Sequence, residues 1–222
     1  QDAGRFAEAL APADELIALL RDVANTTEED WPWPGLGTAL SDKARILRRV
    51  GRGDDAVGCA NEALRIWMTL AAREPLYLRH LAASLLVLSS ALADGGRFEE
   101  AAEASPEGVR QLRGVVPADR ARFVPELAHA LNDLGVLEGK IGRRDAAVAA
   151  AEEATALFRD LHTGDVALFR PLLAGALDNL GAARRKLGRF DVALAAAEES
   201  VAFYRQVLAF KPEAAQPFIG AA

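Results

Sequence analysis

Cysteine and methionine occur once each in the 222 residues, and histidine three times. The single cysteine, Cys59, excludes an internal disulfide framework and a cysteine zinc cluster. It reads as a small interior residue of a helix. His80, His129 and His162 contain no i, i+4 pair, so no metal site is expected. No Gly-x-x-x-x-Gly-Lys phosphate loop is present, and no cofactor is expected. Long apolar runs are missing too. The longest nearly uncharged stretch, Leu81 to Ala93, is shorter than the roughly 20 apolar residues that span a bilayer. With a single cysteine a cytoplasmic protein is expected, and no membrane partner. An excess of positive charge is also lacking. The formal net charge of −6 argues against a nucleic-acid partner. What remains is 51% hydrophobic and 26% charged, the composition of a folded chain.

What is there is a repeat. A Gly-Arg pair followed by alanine begins at Gly4, Gly51, Gly96, Gly142 and Gly188, at steps of 47, 45, 46 and 46 residues. Such a period marks a repeat array, in which each unit buries its apolar face only against its neighbours. On either side of each glycine the apolar residues follow a helical period. Before Gly142 stand Leu127, Leu131, Leu134 and Ile141; after it stand Ala147, Ala151, Ala154, Leu157, Phe158 and Leu161. Each unit is therefore a helix A, a glycine turn and a helix B.

The copies agree in residue size. Seven residues before each turn glycine stand Ala44, Ser89, Gly135 and Gly181. Five after it stand Ala56, Ala101, Ala147 and Ala193, and nine after it Ala60, Ser105, Ala151 and Ala197. Small residues at matched places let helices A and B approach closely. Trp67, Leu112, Phe158 and Tyr204, sixteen after the glycine, are large and should fill the space between units. Trp31, Tyr77, Phe123 and Phe169 recur every 46 residues, as do Pro125, Pro171 and Pro217. They read as a linker that tucks an aromatic ring onto the preceding helix B. Helix A then starts either at the proline or one turn earlier. Trp31 is expected to be packed, and Trp33 either covers the N-terminal edge or touches a partner.

This code resembles the tetratricopeptide repeat. Leu134-Gly135 and Leu180-Gly181 match that family's helix A landmark, and Ala147 with Ala154, and Ala193 with Ser200, its helix B landmarks. The family's unit is usually 34 residues, shorter than the units here. Asn132-Asp133 and Asp178-Asn179 make the copies similar to the longer kinesin-light-chain type. HEAT and armadillo units share the period and lack the small-residue code.

The resemblance implies an all-α, right-handed superhelical solenoid of antiparallel helical hairpins. One solenoid is expected over 1–222: a half repeat at 4–22, full repeats at 36–72, 76–116, 120–162 and 166–210, and the start of another at 213–222. It also implies a non-catalytic scaffold that binds a protein or peptide along the A helices. The groove residues carried over are Ser41, Arg45, Arg48 and Arg49, then Ser90, then His129, Asn132 and Lys140, then Asp178, Arg185 and Lys186. The lysine and asparagine clamp of chaperone-binding relatives is not matched.

Two alternatives stand beside the scaffold. The chain reads as a fragment of a longer, high-GC bacterial protein, so it is alternatively a regulatory segment of a signalling or NTPase protein that self-associates through open solenoid ends. Arg48, Arg49 and Arg52, Lys140, Arg143 and Arg144, and Arg184, Arg185, Lys186 and Arg189 crowd the A–B turns, which allows an RNA-binding array. The helix dipole explains the same cations, because Asp54, Asp55, Glu99, Glu100, Asp145 and Asp191 stand at the helix B starts.

Overall fold

The computed structural model describes residue 6, residues 8–27 and residues 31–210. Gly4 and the further repeat expected at 213–222, with Pro217, lie outside the described residues. Among the described residues there are nine α-helices and no strand. They are α1 (Leu10–Thr26), α2 (Pro32–Arg49), α3 (Gly53–Arg73), α4 (Leu78–Asp94), α5 (Phe98–Val115), α6 (Arg120–Lys140), α7 (Arg144–Gly164), α8 (Val166–Lys186) and α9 (Phe190–Phe210). The fold class is the expected all-α helical-repeat solenoid.

The four described turns are built alike. Gly51, Gly96, Gly142 and Gly188 have φ between 76° and 83°, and no other described residue has positive φ. In each, the N–H of the arginine after the glycine donates to a carbonyl five residues back: Arg52 to Leu47, Arg97 to Leu92, Arg143 to Glu138 and Arg189 to Arg184, all at 2.9 Å. This closure satisfies a carbonyl left open at the end of helix A and needs a left-handed residue before the donor. The arginine's own carbonyl then accepts from Ala56, Ala101, Ala147 or Ala193, at 3.0 Å each, to start helix B. The Gly-Arg-to-Ala phrase is thus the covalent form of one turn.

The chain forms two compact units, residues 1–118 and 119–222. In the first, α1 packs on α2, α2 on α3, α3 on α4 and α4 on α5, with α2 also touching α4. Its core joins Ile17, Leu36, Leu40, Trp67 and Leu70. In the second, α6 packs on α7, α7 on α8 and α8 on α9, with α6 touching α8. Phe158, Leu173, Leu177 and Ala196 form its core. Within each unit the A helices lie side by side, as neighbours in a repeat array must.

The small positions are where A meets B. A Cβ on Gly135 would stand 3.2 Å from the Ala147 oxygen and the Ala151 nitrogen; one on Gly181 would stand 3.2 Å from the Ala193 oxygen. Ser89 occupies the same place in the second full repeat, and its Oγ donates to the equivalent carbonyl, Ala101, at 3.0 Å. Of the twelve small residues, only Ala197 is not buried.

Of the two starts left open for helix A, the structure takes the earlier: Asp119 and Asp165 cap α6 and α8, accepting from the N–H groups of Arg122 and Leu168. Three sequence expectations need correction. Pro125 and Pro171 therefore sit inside α6 and α8, and Phe123 and Phe169 are helical residues, not linker. Trp31 is 59% exposed, so the periodic position does not bury it, whereas Tyr77 and Phe169 do meet the preceding helix B. Lastly, Pro75–Asp94 is by length and composition long and apolar enough to cross a membrane. Here eight residues of its helix, α4, are buried in a folded unit, packed on α3 and α5.

Candidate interaction site

The second unit brings α6 and α8 together as A helices. Asn179 Nδ2 donates to Asn132 Oδ1 at 3.0 Å, and Lys186 Nζ donates to the Gly139 carbonyl at 3.3 Å. These two bonds set the register of α8 on α6. Beside them runs an exposed strip: His129, Asp133, Val136 and Lys140 on α6, and Asp178, Ala182, Arg185 and Lys186 on α8. The spacing of three and four residues puts each set on one helical face. Of the expected groove residues, His129, Lys140, Asp178, Arg185 and Lys186 are exposed here, while Asn132 is half-buried in the bond to Asn179.

Asp178 and Arg185 share a cavity of about 410 Å³ with Gly181, Ala182, Phe190, Ala193, Leu194 and Ala197. Neither charge has an ion pair among the described residues. Phe190 and Leu194 are 67% and 61% exposed. The cavity thus joins two opposite charges to an apolar wall. Tyr204 lies against α8, its hydroxyl 3.5 Å from where a Gly175 Cβ would be. Burial, with a smaller push from Asp178, raises the Tyr204 phenol above its ordinary range.

The first unit treats its expected groove residues differently. Ser41 is buried; its Oγ donates to the Gly37 carbonyl at 2.9 Å and lies 3.2 Å from Ser84 Oγ on α4. Arg48 pairs across to Asp94 at 2.6 Å, and Arg45 pairs with Asp42 at 2.8 Å. The Arg49 guanidinium lies 6.0 Å from the Phe6 ring centroid, and Ser90 is half-buried. Ser41 and Arg48 therefore hold neighbouring A helices together.

The sequence reading missed a cavity of about 590 Å³ in this unit, lined from four helices. Its floor depends on a glycine. The Trp67 indole lies so close to α2 that a Cβ on Gly37 would fall 2.7 Å from it. His80 stacks on Trp67 at 4.4 Å and 13°, and Tyr77 lies 5.9 Å from Trp67. Arg79 Nε donates to His80 Nε2 at 3.1 Å. Leu16, Leu20, Pro34 and Thr38 complete the walls with Asp42. The sequence signal for it is a helical stripe of Gly35, Thr38 and Asp42, which lies outside the repeat's landmark positions.

All three histidines rest on aromatic rings: His80 on Trp67, His129 edge-on to Phe158 at 5.1 Å, and His162 edge-on to Phe203 at 5.3 Å. Among the described residues, no three His, Cys, Asp or Glu side chains could hold a metal ion. Several cations at the A–B turns already have partners. Arg52 bonds Asp55 at 2.7 Å, Arg97 bonds Glu100 at 2.6 Å, and Arg184 bonds Glu152 at 3.0 Å.

Residues 173–211 match the family described as Tetratricopeptide repeat. The match begins in α8 and ends just past α9, so it holds both Asp178 and Arg185. Comparison with curated proteins gives no match. Among solved structures, this chain is similar to a Podosopora anserina kinesin light chain with nearly identical TPR-like repeats: TM-score 0.67, 19% identity, covering 93% of this chain and 90% of that one. BtubC (BKLC) from P. vanneervenii gives TM-score 0.63 and 19% identity over 90% and 91% of the two chains. MamA gives 0.58 and 17% over 90% and 92%. At these identities the likeness is one of fold. It covers nearly the whole chain.

Proposed function

We propose that this chain is a protein-interaction scaffold that holds a short peptide or partner segment on the A-helix face of its second unit. The tetratricopeptide repeat supports a binding role in general. The observation that carries the finer reading is Asp178 and Arg185 in one cavity, without ion pairs among the described residues, beside exposed Phe190 and Leu194. A partner with one apolar side chain and flanking charges satisfies all four groups, and no catalytic role is assigned. Exposed charges of this kind add little to folding. They set encounter rate and partner choice instead.

The test selects binders from a library of random short peptides and measures them against variants. Arg185→Glu is expected to weaken selected peptides while leaving the melting temperature unchanged. Glu198→Lys, on α9, is expected to leave binding intact. If the α9 variant abolishes binding and the α8 variant does not, the site lies elsewhere. The RNA alternative has weaker support, since several turn cations are bonded to carboxylates.

A further inference from the structure

A cavity of the first unit lies apart from the A-helix faces. Its walls are Trp33, at the start of α2, and Arg65, Ile66, Thr69, Leu70 and Arg73, along the last turns of α3. The five α3 residues recur at steps of one, three and four, so they form one stripe along the helix. The cavity holds about 320 Å³, at the small end of pockets that take small molecules.

Its chemistry is divided. Leu70 is buried, and Trp33 and Ile66 pack on the cluster that contains Leu36 and Trp67. That half is apolar. The other half carries two exposed guanidinium groups, Arg65 and Arg73. No acidic side chain lines the cavity among the described residues. Three arginines on other B helices are matched: Arg21 with Glu62 at 2.6 Å, Arg159 with Glu199 at 2.6 Å, and Arg110 with Glu107. Arg65 has no such partner among the described residues. The Thr69 hydroxyl donates to the Arg65 carbonyl at 3.0 Å and adds no cation or acid.

A free cation beside a preformed apolar wall selects its ligand on two counts. An inorganic anion would leave Trp33, Ile66 and Leu70 uncovered, and a neutral hydrocarbon would leave the guanidinium unanswered. We infer that this cavity binds a small amphiphilic carboxylate. The apolar body lies on Trp33, Ile66 and Leu70, and the carboxylate takes the two parallel hydrogen bonds that an arginine offers. The site is independent of the peptide face on α6 and α8, because none of its residues belongs to that unit.

The experiment titrates the whole chain with octanoate, octanol and octylammonium in a calorimeter. Octanoate is expected to bind once per chain and more tightly than the other two. Arg65→Glu is expected to weaken it about tenfold or more. Thr69→Phe, which fills the space between the two arginines, is expected to abolish it. Met68→Ala, on the same helix and outside the cavity, is expected to change nothing. Each variant is melted first; Arg65 is exposed, so Arg65→Glu reports on binding even if Thr69→Phe lowers the melt. Equal binding of the three probes, no octanoate heat at millimolar concentration, or unchanged octanoate binding by Arg65→Glu would each overturn the inference.

Discussion

Gly135→Ala sets helix propensity against close packing at one atom. Position 135 is inside α6, where alanine in place of glycine favours the helix by about 0.8–1 kcal/mol. The new Cβ, however, would stand 3.2 Å from the Ala147 oxygen and the Ala151 nitrogen, and 3.5 Å from the Ala151 Cβ. Two of these three are backbone atoms of α7, which no rotamer change can move. Helix α7 has to retreat by a few tenths of an ångström, and overpacking of this sort costs about 1–3 kcal/mol. The difference leaves a net loss of about 0–2 kcal/mol, centred near 1. Gly58→Ala is the control. Gly58 is exposed inside α3, and its Cβ would meet nothing within 4 Å. There the propensity gain stands alone, about 0.8–1 kcal/mol. Urea midpoints should therefore move in opposite directions for the two variants. Amide exchange should quicken first in α6 and α7, since repeat contacts run mainly between neighbours. If Gly135→Ala stabilises the chain as much as Gly58→Ala, the A–B approach is looser than described.

Other expectations follow from single contacts. Gly37→Ala drives a Cβ to 2.7 Å from the Trp67 ring, so a loss of about 1–3 kcal/mol is expected with a changed near-ultraviolet tryptophan signal; an unchanged signal would place the indole elsewhere. Ala147→Leu overpacks the same A–B seam from the other side and is expected to lower the melt. Ser89→Ala removes the bond to the Ala101 carbonyl, at about 0.5–1.5 kcal/mol, read as a shift in urea midpoint. Burial pushes the Cys59 thiol up, so the folded chain holds that proton to higher pH than the unfolded one. Its contribution is whole below the ordinary thiol range, about pH 8.5, and is lost as pH rises through the raised value. Stability above that pH should fall more steeply in the wild type than in Cys59→Ala, and parallel curves would refute the assignment.

The turns and the A–B seam were legible because each rests on one residue's size or backbone freedom. Gly142 and Gly135 can be read without knowing what lies across from them. Helix starts were only half legible for the opposite reason. The prolines left two starts open, and the caps Asp119 and Asp165, also 46 residues apart, select the earlier one, so the helices run through Pro125 and Pro171. The site was half legible. Register on a helix located Asp178 and Arg185 on the exposed face. It could not tell that Ser41 would bond Ser84 or that Arg48 would reach Asp94, since both partners come from a different helix. Nor could spacing reveal that Trp67, Tyr77 and His80 stack, a contact made by the folded packing of α3 against the start of α4.

The central claim is that a partner occupies the A-helix face of the second unit. Hydrogen exchange of the whole chain, with and without a selected peptide, tests it most directly. Bound peptide is predicted to slow exchange in α6 and α8 around His129, Asp178 and Arg185, and to leave the outer residues of α7 and α9, such as Ala156 and Glu198, unchanged. Protection confined to α7 and α9, with α6 and α8 unaffected, would contradict the account.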